Sequence, residues 1–323
     1  MSDGIVEEIT ALGDQVRNWG RWKPDDELGT LNLITSEKRL AAAGLVRRGE
    51  VFSLCLPLGS RGPQPGRSAP TPLDPTAERS NPIHFMVRTG SEPDEMSHLG
   101  ATCYWADDAV TMYLQAGTQW DALSHVYYGG LVYNGRPSSS VVDTEGAHSC
   151  GIDKVHDKFV GRGVLLDVAR VHGVSCLPSG HAIKPEELDE AEKQSGASVT
   201  EGDIVLVRTG LMSTWTESGD WSAFGKPQPG LHFSCAKWLH DRGAAAVAAD
   251  NTAVEASSFS DGIYAPFHML ALRDMGLHLG EFWYLEDLAA DCANDGMSEF
   301  LLVAQALPFE GAVGSPVNPL AIK

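Results

Sequence analysis

Basic residues are scarce: 24 lysines and arginines stand against 43 acids in 323 residues, a formal charge of -19. A surface of that sign repels phosphate backbones and anionic headgroups, which excludes nucleic acid and membranes as expected partners and leaves small molecules. Long apolar runs are also missing. No stretch approaches the ~18 residues needed to span a bilayer, and the opening MSDGIVEEITALGDQV lacks the basic start and apolar run of a signal peptide. A cytoplasmic protein is expected. The six cysteines, Cys55, Cys103, Cys150, Cys176, Cys235 and Cys292, never form a C-x-x-C pair, which argues against cysteine-based zinc or redox chemistry and predicts buried thiols in a reducing compartment. No repeat or clean linker divides the chain. A single domain over 1–323 is therefore expected, with 1–50 as an N-terminal extension, and the 43% hydrophobic content suffices for a large core.

Local pattern outlines the elements. Leu40, Ala43, Gly44 and Leu45 recur at helical spacing after Thr35 and Ser36, predicting a capped helix over Glu37 to Arg48 that Gly49 stops. The run Val51 to Leu58 is strand-like. Residues 59–82 are too rich in proline and glycine for regular ladders and predict a long surface loop, a candidate lid or exchange arm. From Gly161 short apolar runs alternate with amphipathic ones: GVLLDVAR, Pro185 to Gln194, DIVLVRTG, Leu231 to Arg242, AAAVAAD, then Phe300 to Leu307. That alternation predicts an α/β fold around a buried sheet.

The chemistry concentrates in Gln115-Ala-Gly-Thr-Gln119-Trp-Asp121-Ala-Leu-Ser-His125. On an extended backbone Gln115, Gly117, Gln119 and Asp121 share a face, with glycine allowing close approach of a ligand. If the chain turns helical after Trp120, Asp121 and His125 also share a face. Carboxylate with imidazole suits Zn²⁺, Mn²⁺ or Fe²⁺. By itself an isolated D-x-x-x-H is a weak signal.

The segment resembles the signature H-x-G-T-H-x-D-x-P-x-H of the family named putative cyclase, which includes arylformamidases (kynurenine formamidases) and isatin hydrolases. Gly117, Thr118, Asp121 and His125 match in register. WKPDDELGTLNLIT, GRGVLLDVAR, EGDIVLVRTG and DNTAVE resemble further elements of the family's longer branch, and APFHMLALRDMGLHLGEFWYLEDLA resembles its second metal-binding segment, with His268 and Glu281 at the matched places. Two signature histidines are Gln115 and Gln119 here, and the signature proline is Leu123.

The resemblance implies a swivelling β/β/α fold, with a central mixed sheet flanked by helices, and assembly as a homodimer or homotetramer. It further implies one divalent ion per chain, Zn or Mn, held by Asp121, His268 and Glu281. His125 either completes the shell or shuttles a proton. In two-metal members the replaced histidines hold one ion, so Gln115 and Gln119, neutral and weaker donors, are expected to hydrogen-bond water or substrate instead. The expected reaction is hydrolysis of an amide, formamide or cyclic imide by a metal-activated water. Aromatics beside the motifs (Trp120, Tyr127, Tyr128, Tyr133, Phe282, Trp283, Tyr284) hint at an aromatic or cyclic substrate. Lactone hydrolysis or closure by the same residues, and a non-catalytic ligand-binding homologue without metal, are the alternatives.

Overall fold

The computed structural model of the chain describes residues 2–66, 78–90, 105–257 and 263–323. The chain divides into two compact units, one of residues 1–56 with 118–323 and one of residues 57–117.

The larger unit is built on a nine-stranded sheet. Its strands are β1 Val51–Ser53, β2 Gln119–Asp121, β3 Val160–Asp167, β4 Ile204–Arg208, β5 Ala246–Ala249, β6 His278–Glu281, β7 Glu299–Val303, β8 Gly314–Pro316 and β9 Leu320–Ile322. Their spatial order is β1-β9-β7-β3-β4-β5-β6-β2-β8. The central β3, β4, β5 and β6 are mutually parallel, and the outer strands pair antiparallel. Between the parallel strands run the helices Pro185–Ser195, Leu211–Ser218, Cys235–Asp241 and Pro266–His268, the last continuing as a π-helix over Met269–Met275. This is the expected α/β arrangement of a mixed sheet flanked by helices.

The central strands are apolar at consecutive positions because both faces are covered. Val164 and Leu166 join one core cluster while Leu165 joins the other; Val205 and Val207 part from Ile204 and Leu206, and Val247 and Ala249 from Ala246 and Ala248, in the same way. Alternate side chains of a strand point to opposite faces, so these two clusters are the two sides of the sheet. Trp120 belongs to the second side, stacked on Phe159 at 4.4 Å and edge-on to Trp283 at 4.9 Å.

Several boundaries differ from the pattern-based expectation. The helix after Thr35 spans Ser36–Ala43: Thr35 Oγ1 accepts from Lys38 N at 3.3 Å, but Leu40 is 75% exposed and Ala42 is the buried residue, so too little apolar surface exists to carry the helix on to Arg48. The strand-like run from Val51 is ordered as β only to Ser53. An unforeseen helix, Ser2–Val16, buries Ile9 and Val16 in the first cluster with Met275. Of the cysteines among the described residues none is bridged; Cys150, Cys235 and Cys292 are buried as expected, whereas Cys55 and Cys176 are partly exposed.

The smaller unit contains an antiparallel pair, Ile83–Arg88 with Asp107–Thr111, and a bridge between Gly66 and Ser80. Of the expected loop 59–82, residues 67–77 lie outside the described residues. Among the described residues no helix is long and apolar enough to cross a membrane.

Candidate metal centre

The end of β2 and the end of β6 lie side by side, with Gln119 opposite Glu281 and Trp120 opposite Gly280. Directly opposed residues share a face, so Gln119, Asp121 and Glu281 project to the same side and Trp120 to the other. Gly280 is required on that other side: a Cβ there would sit 2.7 Å from Ala248 Cβ and from Trp283 Nε1. His268, the last residue of the helix entering the π-helix, reaches the two acids from outside the sheet's strands. Its Nε2 lies 3.3 Å from Glu281 Oε1 and 3.7 Å from Asp121 Oδ2. Ligand atoms of Asp121, His268 and Glu281 all fall within 4.8 Å of one another, and all three residues are buried.

The histidine is held from behind by an acid the motif comparison did not single out. Glu255 Oε1 accepts from His268 Nδ1 at 2.5 Å and from His268 N at 3.1 Å, while its Oε2 accepts from Phe267 N at 2.9 Å. A carboxylate on Nδ1 places a ring proton there and turns Nε2 toward Asp121 and Glu281. Glu255 closes the segment DNTAVE, so its signal was present in the sequence; only its side chain's target was not. Burial by itself would lower the His268 pKa, but Asp121, Glu255 and Glu281 around the ring hold it well above its ordinary value.

His125 does not continue a helix from Asp121. Its N–H donates to Ala122 O at 3.0 Å, forming a turn, and the turn still delivers Nε2 to 3.7 Å from Asp121 Oδ1, with 17% of the side chain exposed. The two residues expected to share a helical face therefore meet through a turn. Gln119 Nε2 donates to Glu281 Oε2, and Gln119 Oε1 is buried with no partner among the described residues. Thr118 braces the same corner: its hydroxyl donates to Phe282 O at 2.6 Å and accepts from Leu56 N at 2.9 Å. His278, buried on β6, donates from Nδ1 to Asp121 O at 2.9 Å; burial pushes its pKa down to about 4, so it stands neutral behind the acid.

Gln115 belongs to the smaller unit, where its carbonyl accepts from Gln64 Nε2 at 3.5 Å. Gly117 is in that unit too. The space its missing Cβ would enter holds Leu58 Cδ2 at 3.0 Å, so what the glycine admits is a leucine of its own chain, a correction to the expected approach of a ligand.

Backbone strain gathers here. Val254, Ala265 and Phe282 have φ of 58°, 53° and 57°, and they adjoin Glu255, the His268 helix and Glu281 respectively. A left-handed non-glycine residue costs on the order of 1–3 kcal/mol, most for a β-branched one such as valine, and persists only where its surroundings over-determine it. The π-helix directly after His268 is a further irregularity of a type frequent at functional sites.

The aromatic expectation divides. Trp120 and Trp283 are core on the far face, Tyr133 is buried against Asp26, and Tyr128 donates to Asp274 at 2.6 Å. Phe282 and Tyr284 instead join Trp215, Trp221, Phe224, Leu56 and Met212 in an apolar cluster that begins at the residue after Glu281.

The donor set fits a divalent cation. Three buried carboxylates surround one imidazole, and buried acids without a compensating charge are costly; carboxylate oxygens with one imidazole nitrogen are the ligands of zinc, manganese and iron sites.

Comparison with known proteins agrees with this architecture. The family model described as Putative cyclase matches residues 53–256. A crystal structure described as a novel cyclase is 40% identical, covering 96% of this chain and 99% of its own, with a TM-score of 0.84. Isatin hydrolase A from Ralstonia solanacearum is 20% identical over 89% of this chain and 97% of its own, with a TM-score of 0.60. Isatin hydrolase A from Labrenzia aggregata, bound to benzyl benzoate, is 19% identical over 89% and 98%, with a TM-score of 0.59. The latter two share the fold. No curated protein matches the chain.

Proposed function

The chain belongs to the putative cyclase family, and from that premise we propose that it is a metal-dependent hydrolase of small cyclic or aromatic amides, formamides or imides. The observation that carries this reading is the convergence of Asp121, His268 and Glu281 ligand atoms within 4.8 Å, with Glu255 fixing the imidazole.

Asp121, His268 and Glu281 would hold one divalent ion, Zn or Mn. Such an ion, when bound, polarises a carbonyl and lowers the pKa of water from roughly 15.7 toward ~7. The rest is done by side chains. Glu255 keeps one His268 proton on Nδ1, so Nε2 is the nitrogen that would give up its proton and face the ion. Gln119 ties down Glu281 Oε2 and leaves Oε1 toward His268, which supports a single-ion centre; its own buried Oε1 would accept from a substrate N–H. His125, partly exposed beside Asp121, takes a proton from the attacking water and returns it to the leaving nitrogen. The apolar cluster that starts at Phe282 supports a flat, apolar substrate body.

Purified protein, stripped and reloaded with Zn²⁺ or Mn²⁺, is assayed on N-formyl anilines, cyclic imides and lactones. Metal-dependent turnover of a formyl anilide or an imide supports the proposal; turnover of lactones alone moves the activity to ring closure and opening of esters. Binding of less than about a tenth of an ion per chain, with no rescue by added metal, overturns the hydrolase reading in favour of a ligand-binding protein.

A further inference from the structure

A second group of imidazoles and a carboxylate lies outside the centre just described. His172 follows the short helix Val168–Val171 at the end of β3, His181 precedes the two-residue strand Ala182–Ile183, and Glu187 is in the first turn of the helix Pro185–Ser195. His172 Nε2 and His181 Nε2 each lie 2.7 Å from the same oxygen, Glu187 Oε1. The rings stand edge to face with centroids 5.3 Å apart. Ligand atoms of the three residues fall within 4.8 Å of one another.

We propose that His172, His181 and Glu187 form a second divalent transition-metal site, with Zn²⁺-like preference. Each ligand is held by its backbone before any ion arrives. His172 N bonds to Val168 O at 3.3 Å, and the left-handed Gly173 ends the helix there. His181 N closes a turn onto Pro178 O at 3.0 Å, and its carbonyl accepts from Gly230 N at 3.0 Å. Glu187 Oε2 accepts from Lys184 N at 2.7 Å, which turns Oε1, the oxygen both histidines meet, toward the ion.

The ligand chemistry selects the ion. Two imidazoles and one carboxylate suit zinc, cobalt, nickel or copper rather than calcium or magnesium, which take oxygen shells. Tetrahedral zinc with bonds of about 2.0–2.1 Å separates its ligand atoms by roughly 3.3 Å, so the two nitrogens need open from Oε1 by only about 0.6 Å. The side chains are 38%, 26% and 20% exposed, which lets an ion enter and leaves a fourth position to water. The net charge of -19 raises the local concentration of cations. An ion here ties the end of β3, the turn at 178–181 and the start of the following helix into one unit.

The bland alternative is one carboxylate oxygen accepting two N–H bonds with no ion. The variant H172Q/H181Q separates the two, because glutamine amides donate to Glu187 as the rings do but ligate zinc poorly. Metal-stripped full-length wild type and H172Q/H181Q are titrated with Co²⁺, followed by visible absorption, and with Zn²⁺, followed by elemental analysis after desalting. Wild type is expected to bind one ion per chain more than the variant and to show a tetrahedral Co²⁺ band the variant lacks. Single H172Q, which removes only the most exposed ligand, should bind that ion at least about 100-fold more weakly, beyond what loss of an outer-shell partner costs. A variant that keeps every ion and the full Co²⁺ spectrum of wild type overturns the proposal. This result is independent of the first centre: if that centre holds nothing, wild type binds one ion and H172Q/H181Q none, whereas failure of the second site alone leaves both proteins with one.

Discussion

Two clusters in this molecule contain nearly the same chemistry and differ in how they are built. The centre at Asp121, His268 and Glu281 takes its ligands from β2, β6 and the helix between β5 and β6, and buries them. The cluster at His172, His181 and Glu187 takes them from adjacent segments and leaves them partly in water. Burial is the difference that matters. In the first, solvent cannot compensate the acids, so a cation is the efficient partner, and removing one charge disturbs all the rest. In the second, three hydrogen bonds already satisfy the partly exposed carboxylate, and an ion adds rigidity to a structure that stands without it.

The contrast can be broken experimentally, starting where the effect is largest. Asp121→Asn or His268→Ala should eliminate binding of the central ion and reduce hydrolysis to the uncatalysed background, measured by elemental analysis and turnover. The same D121N protein, kept metal-free with chelator, should melt above metal-free wild type by roughly 1–2 °C, the shift that about 1 kcal/mol produces in a chain of this size, because one of the clustered buried acids is gone. An unchanged or lower melting temperature would show that the acids do not repel as described.

His125→Ala is expected to lower kcat by about 10²- to 10⁴-fold, the range for loss of a general acid or base. Ion content measured on the same sample decides its role: unchanged content assigns proton transfer, and a fall assigns ligation. Smaller again is Glu255→Gln, which removes the carboxylate behind His268 and should weaken the central ion by about 10- to 100-fold with the fold intact, as circular dichroism would verify. At the bottom of the scale, H172Q/H181Q should leave turnover at the central site within twofold, about 0.4 kcal/mol in barrier. A collapse of turnover in that variant would mean the two clusters are coupled.

Much of the fold was legible in linear pattern. The apolar runs of β3, β4 and β5 are continuous because both faces of the sheet are covered, and the polar helix Pro185–Ser195 between β3 and β4 shows helical spacing with proline at its start. Very short outer strands were not legible. β8, at one edge, and β9, between β1 and β7, are three residues each and carry no periodicity of their own; they are strands only because their neighbours supply the ladder. The helix Ser2–Val16 hid behind an acidic composition, since Ile9 and Val16 are its buried apolar side chains in the core cluster, with Ile5 and Leu12 only partly buried against it.

The metal centre divides along the same line. Which residue types were available, and that Gln119 and Asp121 would share a face, followed from the order of amino acids and the two-residue period of an extended chain. That Glu281 stands opposite Gln119, that Glu255 turns the imidazole of His268 and that His125 returns through a turn rather than a helix followed from strand pairing and burial. Ligands far apart in sequence meet only when the sheet closes, and no local rule of spacing reports which distant carboxylate a buried histidine will face.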